Sequence, residues 1–214
     1  MVLIKLIVSN NLVLTNGVLT ESDAAAKLTA QGNVTVASTW DGGSCDIEFG
    51  GTNAQNFDLT GATALFTGDI KINKTSGTVT MLSGLTLSNK TLTITSGTLE
   101  FNGNTLSSNY ITQTGGSCQG MSGTISILIN FTMTGGTFNT GTATVFDING
   151  NFSETTAGTF TASSITNFYF AGAFTHTAGT FTKSGSESVV FDATASKTWD
   201  FATSETFYNL TINT

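Results

Sequence analysis

The stretch Leu92-Thr-Ile-Thr-Ser-Gly-Thr-Leu-Glu-Phe101 decides the prediction of the fold. Apolar and polar residues alternate before and after its glycine, so Leu92 and Ile94 share one face of a strand and the two threonines share the other. The alternation is interrupted at Gly97, because glycine adopts the backbone conformations of a sharp bend at low cost. The stretch therefore predicts two short strands that meet at a corner.

This pattern recurs about every 20 residues through the middle of the chain. Each copy begins with an apolar residue, at Ile72, Leu92, Ile111, Phe131, Phe152 and Phe174. A glycine marks the corner, at Gly77, Gly97, Gly116, Gly136, Gly158 and Gly179. A second apolar residue follows it, at Val79, Leu99, Cys118, Phe138, Phe160 and Phe181. A looser glycine column predicts a second corner, at Gly84, Gly103, Gly123 and Gly141. Self-similarity at a fixed period is typical of solenoids, in which stacked coils share one core.

We therefore predict an all-β fold, a single-stranded right-handed parallel β-helix (β-solenoid) with coils of about 20 residues. The hand is taken from β-helices in general, and roughly ten coils at about 4.8 Å each would form a rod. The solenoid body is expected over residues 56–214, after an N-terminal strand and capping region over 1–55. Residues 22–31 fit either a short helix, capped by Ser22 and stopped at Gly32, or a surface turn between coils.

The composition excludes several classes of function. The 214 residues carry seven Lys against 14 acidic residues, a net charge of −7, and include no Arg. An acidic chain of this kind is a poor match for phosphate backbones, so we expect no nucleic-acid partner. No stretch reaches the roughly 18 apolar residues of a membrane span. We therefore also expect no membrane insertion. The apolar start, Met1–Val8, is too short for a signal peptide and lacks its basic lead-in, so we do not interpret it as one.

Two strings, Ser96–Leu106 and Phe207–Asn213, resemble the repeats of large bacterial surface proteins with β-helical arrays, of the filamentous-haemagglutinin-like adhesin type. The resemblance covers most of residues 56–214. It implies an extracellular or cell-surface location and a role in adhesion, in a matrix or in filament building.

The two open ends of a solenoid expose backbone donors and acceptors that proteins either cap or use. Our leading hypothesis is an extracellular structural module of a surface fibre or filament. It pairs end to end with copies of itself, or continues into neighbouring repeats of a longer array. The residues assigned to this contact are Met1, Val2, Leu3, Ile4, Leu6, Val8, Leu210 and Ile212.

The alternative is an adhesin or an ice- or glycan-binding module with a flat threonine-rich face. Its candidate residues flank the corner in Thr-x-Thr pairs: Thr93, Thr95, Thr112, Thr114, Thr132, Thr134, Thr175 and Thr177. Ordinary strand propensity explains the same threonines and is favoured over a binding role. We expect Glu154–Thr156 to lie out of register and to break the ladder.

We expect no enzymatic activity, no cofactor and no metal. A polysaccharide lyase or hydrolase is the least favoured function, because the carboxylates are scattered and no pair recurs one coil apart. His176, the only histidine, is assigned a structural role in a half-exposed column; its members would be Ile94, Gln113, Met133 and Glu154.

Two further groups are assigned structural roles. The acids Asp41, Asp46 and Glu48 flank two glycines, but their spacing matches no calcium loop, so we interpret them as solvated. Cys118 is predicted to be a buried free thiol, because Cys45 lies three to four coils away. That separation is about 14 Å, whereas bridged Cα atoms lie within about 7 Å.

Overall fold

The computed structural model describes residues 5–20, 27–62, 67–201 and 204–213. All regular elements in these ranges are strands. They pair in parallel and stack as a β-solenoid of about nine turns with coils of roughly 21 residues. The all-β solenoid prediction is confirmed, with slightly longer coils than expected, and the hand stays a prediction. Among the residues described, there is no helix with the length and hydrophobicity that a membrane crossing requires.

The strands form three faces, which the chain visits in the order A, B, C. Face A comprises β1 (Lys5–Val8), β3 (Lys27–Ala30), β5 (Ile47–Phe49), the start of β7 (Ile70–Met81), the middle of β8 (Leu85–Glu100), the ends of β9 (Leu106–Gln113) and β11 (Thr124–Met133), β14 (Asn151–Glu154), β17 (Phe174–His176) and β20 (Trp199–Phe201). Face B comprises β2 (Leu12–Leu14), β4 (Val34–Val36), β6 (Gln55–Asp58), the ends of β7 and β8, β10 (Ser117–Gln119), β12 (Gly136–Asn139), β15 (Gly158–Ala162) and β18 (Thr180–Lys183). Face C comprises the starts of β8, β9 and β11, β13 (Val145–Ile148), β16 (Asn167–Phe170), β19 (Ser188–Phe191) and β21 (Asn209–Ile212).

The core is a set of inward columns that follow the axis. On face A one column is Leu6, Leu28, Ile47, Ile70, Leu92, Ile111, Phe131, Phe152, Phe174 and Trp199. The sequence prediction placed Ile72 in this column, and that is wrong, because Ile72 pairs with Ile94. The register slips at an irregularity in β7, where nine residues separate the inward Ile70 from Val79 instead of the usual seven.

Aromatic rings fill the core of the C-terminal half. Phe152 stacks on Phe131 with ring centroids 5.2 Å apart and on Phe174 at 4.8 Å, with planes within 9° of parallel. Each such pair contributes about 0.5–1.5 kcal/mol beyond the burial of its area. The same face-A column is aliphatic from Leu28 to Ile111, so this column changes from aliphatic to aromatic along the rod, and buried rings are fewer in the N-terminal half.

The corner glycines of the first column stack as predicted. Gly116 has a φ of +63°, and a Cβ built there would lie 2.5 Å from the carbonyl oxygen of Gly97 in the coil before. The prediction of a single second glycine column is wrong, because its four members occupy two different bends. Gly120 lies between two of them, Gly103 and Gly141, and Thr105 lies between the other two, Gly84 and Gly123.

Asparagine and aspartate side chains link successive coils at other corners. The side-chain oxygen of Asn11 accepts the backbone amide of Asn33 at 3.1 Å, and that of Asn33 accepts the amide of Asn56 at 2.8 Å. Four more links follow the same rule, from Asp69 to Asp46, Thr91 to Asp69, Asn151 to Asn130 and Ala173 to Asn151. These bonds satisfy backbone donors where the strand ladder is interrupted.

The helix considered for residues 22–31 is wrong over Lys27–Ala30, which form β3 between β1 and β5. Leu28 and Ala30 occupy inward positions and are buried. Burial in the stack therefore outweighs the helix propensity of the alanine-rich segment. Residues 22–26 lie outside the described residues.

Candidate functional site

The N-terminal end of the rod exposes part of its core. Leu6 stands in the inward column of face A, yet 58% of it is exposed, and Ile7 and Val13 beside it are also exposed. In the described part of the chain, β1 pairs only with β3 and β2 only with β4. Their outer edges therefore have no strand partner among the described residues. Val8 is half-buried. Met1, Val2, Leu3 and Ile4, which were assigned to the same contact, lie outside the described residues.

The C-terminal end shows the same features. Within the described ranges β21 pairs only with β19 and β20 only with β17. Leu210 and Ile212, predicted as assembly residues, are about half exposed. Trp199 and Phe201 of β20 are half-buried and pack on Phe191 and Phe174. Both ends thus combine exposed apolar side chains with parallel strand edges that pair with no other described strand.

The predicted threonine ladder is in register on face A. Thr93, Thr112 and Thr132 pair in succession, Ser153 follows, and Thr175 completes this column. The second column begins at Thr95. Its other members donate their backbone amides to equivalent carbonyls of the preceding coil, and they are Thr114, Thr134, Thr155 and Thr177. The predicted break at Glu154–Thr156 is wrong, because Glu154 pairs with Met133 and His176 and keeps the register.

Sequence reasoning missed a second polar ladder, on face B. The residue after each corner glycine pairs with its counterpart in the next coil, in the row Thr98, Ser117, Thr137, Thr159 and Thr180. The recurring Gly-Thr or Gly-Ser dipeptides were a signal that could have revealed it. Two neighbouring faces of the rod therefore present hydroxyl rows at strand spacing.

His176 lies inside the rod, so the predicted half-exposed column is wrong. All its members, namely Ile94, Gln113, Met133, Glu154 and His176, are buried, because alternate residues of each face-A strand point into the core. Nδ1 of His176 lies 2.7 Å from Oε1 of Glu205, and Nζ of Lys183 lies 2.7 Å from Oε2 of the same carboxylate. Nε2 of His176 lies 3.7 Å from Oε2 of Glu154.

Glu154 is the most perturbed carboxylate of this cluster. It is fully buried, and neither of its oxygens makes a hydrogen bond of normal geometry with a described residue. Burial raises its pKa to about 7; the nearby amide of Thr180 opposes the rise, and the negative charge of Glu205 adds to it. A carboxyl group with such a pKa retains its proton into the neutral range.

A buried lysine occupies the irregular corner of β7. Nζ of Lys74 donates hydrogen bonds to the carbonyl oxygens of Asn53 at 2.8 Å and Gly50 at 3.2 Å, and to Oε1 of Gln55. Gln55 in turn donates to the carbonyl oxygens of Ala30 and Gly32. Burial lowers the pKa of Lys74. This network lies at the corner where the coil contains two residues more than its neighbours.

The acids near Gly42-Gly43 contact different partners. Oδ2 of Asp41 accepts the amide of Gly17 at 3.0 Å, Oδ1 of Asp46 accepts that of Asp69, and Glu48 forms an ion pair with Lys71 at 3.2 Å. Each of them links one coil to a neighbour, and they do not converge on a common point.

Cys118 is a buried free thiol, which confirms its prediction, and Cys45 is also buried. Burial, together with the negative charge of Glu100, raises the pKa of the Cys118 thiol. The thiolate, which is the reactive form, is thereby disfavoured.

Comparison of the chain with protein-family models, with curated proteins and with solved structures gives no match. The structure establishes the β-solenoid architecture, and the resemblance to bacterial surface arrays stays a prediction.

Proposed function

We propose that the chain is a structural module of an extracellular fibre or filament, whose terminal coils pair with further coils of the same kind. Those coils belong to a second copy or to neighbouring repeats. One observation carries the proposal: at both ends, residues of the inward columns are exposed next to parallel strand edges that pair with no further described strand. Leu6 marks one end, and Leu210 and Ile212 mark the other. Such edges are templates for strand addition.

On face A the two ends match in strand direction and in the position of the inward column. The last face-A strand, β20, and the first, β1, run in the same direction, so a second copy placed on the C-terminal end would continue the column from Trp199 to Leu6. Lys5 and Lys27 pair at the N-terminal end, whereas β20 carries Asp200 at the other. Opposite charges favour the head-to-tail order over two like ends in contact.

The proposal is tested by electron microscopy and sedimentation across a concentration series. We expect wild-type protein to form rods much longer than the roughly 45 Å of about nine coils. Leu6→Asp and Ile212→Asp should restore single rods, because each buries a charge in the junction. Leu128→Asp is the matched control, since Leu128 is 44% exposed on the side of the rod. Single rods at every concentration, or equal loss with Leu128→Asp, would contradict end-to-end assembly.

A second candidate is lateral binding of ice or a glycan by the threonine rows. The observation in its favour is the register of the rows on faces A and B, which sets hydroxyl groups about 4.8 Å apart along the axis. Thr132→Lys and Thr134→Lys should abolish thermal hysteresis or retention on insoluble polysaccharide while leaving assembly intact. Polysaccharide cleavage has less support, because Glu154, the carboxylate with the most raised pKa, lies inside the core.

A further inference from the structure

Four charged or titratable side chains from different parts of the chain meet where the final coil joins the rod. Glu154 comes from β14, His176 from β17 and Lys183 from β18, while Glu205 comes from the segment that leads into β21. Glu205 accepts hydrogen bonds from both His176 and Lys183, and thereby ties that segment to the coil beneath. Lys183 also lies over the rings of Phe181 and Phe207, at 4.8 and 5.3 Å from their centroids.

Counting protons shows what this arrangement can do. With Glu205 ionised, Nδ1 of His176 is the nitrogen that carries a proton toward it. Nε2 then faces Glu154 at 3.7 Å, and neither Nε2 nor the oxygens of Glu154 make a hydrogen bond of normal geometry with a described residue. One further proton, held by Glu154, makes the four side chains neutral in sum. Removal of that proton leaves one net negative charge in a buried site, which is costly.

We propose that Glu154, His176, Lys183 and Glu205 form a proton-operated latch that holds the final coil, residues 204–213, and releases it when Glu154 loses its proton. Glu154 senses the pH, and Glu205 is the group on the moving segment. Release would uncover the inward residues of β19 and change which edge the rod presents at this end.

The direction follows from linkage. With the final coil in place, the pKa of Glu154 is about 7, above its usual range, because Glu154 is buried and the negative charge of Glu205 adds to the rise. Because the pKa of Glu154 is higher in the closed state, its protonated form stabilises that state. This stabilisation is fully present below the usual pKa of about 4.3 and is lost as the pH rises through about 7. If Glu154 becomes solvated on release, the opening constant of the coil rises about tenfold between pH 6 and pH 8.5.

The other charged group at this junction acts in the opposite sense. Glu187 accepts the amides of Gly185 at 2.9 Å and Tyr208 at 3.2 Å, so it also fastens the final coil. Burial alone would raise the pKa of Glu187, but its own backbone amide, the amides of Tyr208 and Gly185 and the charge of Lys183 lower it. Its stabilisation is lost only in acid, so it does not contribute to the change above pH 6. From β20, the neutral Phe201 packs over His176.

The test is amide hydrogen exchange of residues 209–212, corrected for the intrinsic rate, at pH 6 and pH 8.5. We expect about a tenfold loss of protection in the wild type and none in Glu154→Gln, which keeps the shape of the protonated acid. The amides of β9 serve as an internal reference that stays protected at both pH values. A wild type without the loss, or a Glu154→Gln variant that keeps it, would overturn the proposal.

Glu205→Gln provides a second test that does not depend on the folding of the first variant. It weakens the bonds to His176 and Lys183 at every pH, so the final coil should exchange rapidly already at pH 6. Normal protection in this variant would also overturn the latch. Because the chain has one histidine, the imidazole ¹⁵N resonances report His176 alone. They should show a proton on Nδ1 at pH 8.5, and a proton on Nε2 alone would contradict the assignment.

Discussion

Two glycines allow two effects of a corner side chain on the free energy of unfolding to be measured separately, namely backbone strain and collision with the neighbouring coil. Gly103 and Gly116 both have positive φ, at +78° and +63°. A Cβ at Gly103 would meet nothing within 4 Å, whereas one at Gly116 would lie 2.5 Å from the carbonyl oxygen of Gly97 and 3.0 Å from the carbonyl carbon of Ser96. Gly103→Ala therefore measures the backbone strain alone, and Gly116→Ala adds a collision with the coil beneath.

The expected magnitudes differ clearly. A left-handed backbone costs alanine about 1–2 kcal/mol, and the reduced freedom of the unfolded chain returns about 0.4–1 kcal/mol. We expect Gly103→Ala to lower the free energy of unfolding by about 1 kcal/mol. Gly116→Ala should lower it by about 3 kcal/mol, because overpacking against backbone adds about 1–3 kcal/mol.

Equilibrium denaturation followed by circular dichroism gives both values, with amide exchange at Thr98 and Ser117 as a local readout. The local readout matters because repeat arrays depart from two-state unfolding. The reasoning fails if Gly116→Ala is no more destabilising than Gly103→Ala, since a stack of coils in direct contact would then be the wrong description of this corner.

Three other predictions address the core. Phe152→Ala should cost about 3–5 kcal/mol in a denaturant titration, because it removes a ring stacked on both sides; a loss below 1 kcal/mol would contradict the packing. Lys74→Met should cost about 1–3 kcal/mol, since two backbone carbonyls lose their donor. In the wild type, the lowered pKa of Lys74 makes the free energy of unfolding rise with pH between the folded-state pKa and the usual pKa of lysine. Lys74→Met should abolish this rise, and an unchanged slope of the free energy of unfolding against pH would refute the prediction. Finally, a thiol reagent should modify neither Cys45 nor Cys118 in the native protein and both in denaturant, as intact mass would show; rapid native labelling of Cys118 would rule out its burial.

The repeat was readable from the sequence because most coils obey one spacing. From Leu92 to Phe174 the inward residues recur in steps of 19 to 22, and alternation assigns their faces. The prediction failed where a coil departs from the rule. The corner around Lys74 holds two extra residues, and a local pattern contains no signal for which neighbours of such a bulge turn inward.

The sequence did not predict the cluster of Glu154, His176, Lys183 and Glu205 for a different reason. Glu154 and His176 are 22 residues apart, which is one coil, but Glu205 follows His176 by 29 residues, through an irregular segment. Charged residues are also expected outside a core, so His176 and Glu154 were placed in a half-exposed column. Burial of the column depends on the width of the stacked coils, which the sequence of one coil does not reveal.

The change of core chemistry along the axis has a consequence for the order of folding. Coils interact only with their neighbours, so the array can begin to fold wherever a few coils are stable together and then grow in both directions. The block of stacked rings from Phe131 to Phe191 is the best nucleus, and it lies in the C-terminal half. Since a chain is synthesised from its N-terminus, this nucleus leaves the ribosome after the coils that precede Ile111. We expect the coils before Ile111, which contain fewer buried rings, to stay loosely formed until this block folds, and the rod to be completed from its ring-rich half toward β1.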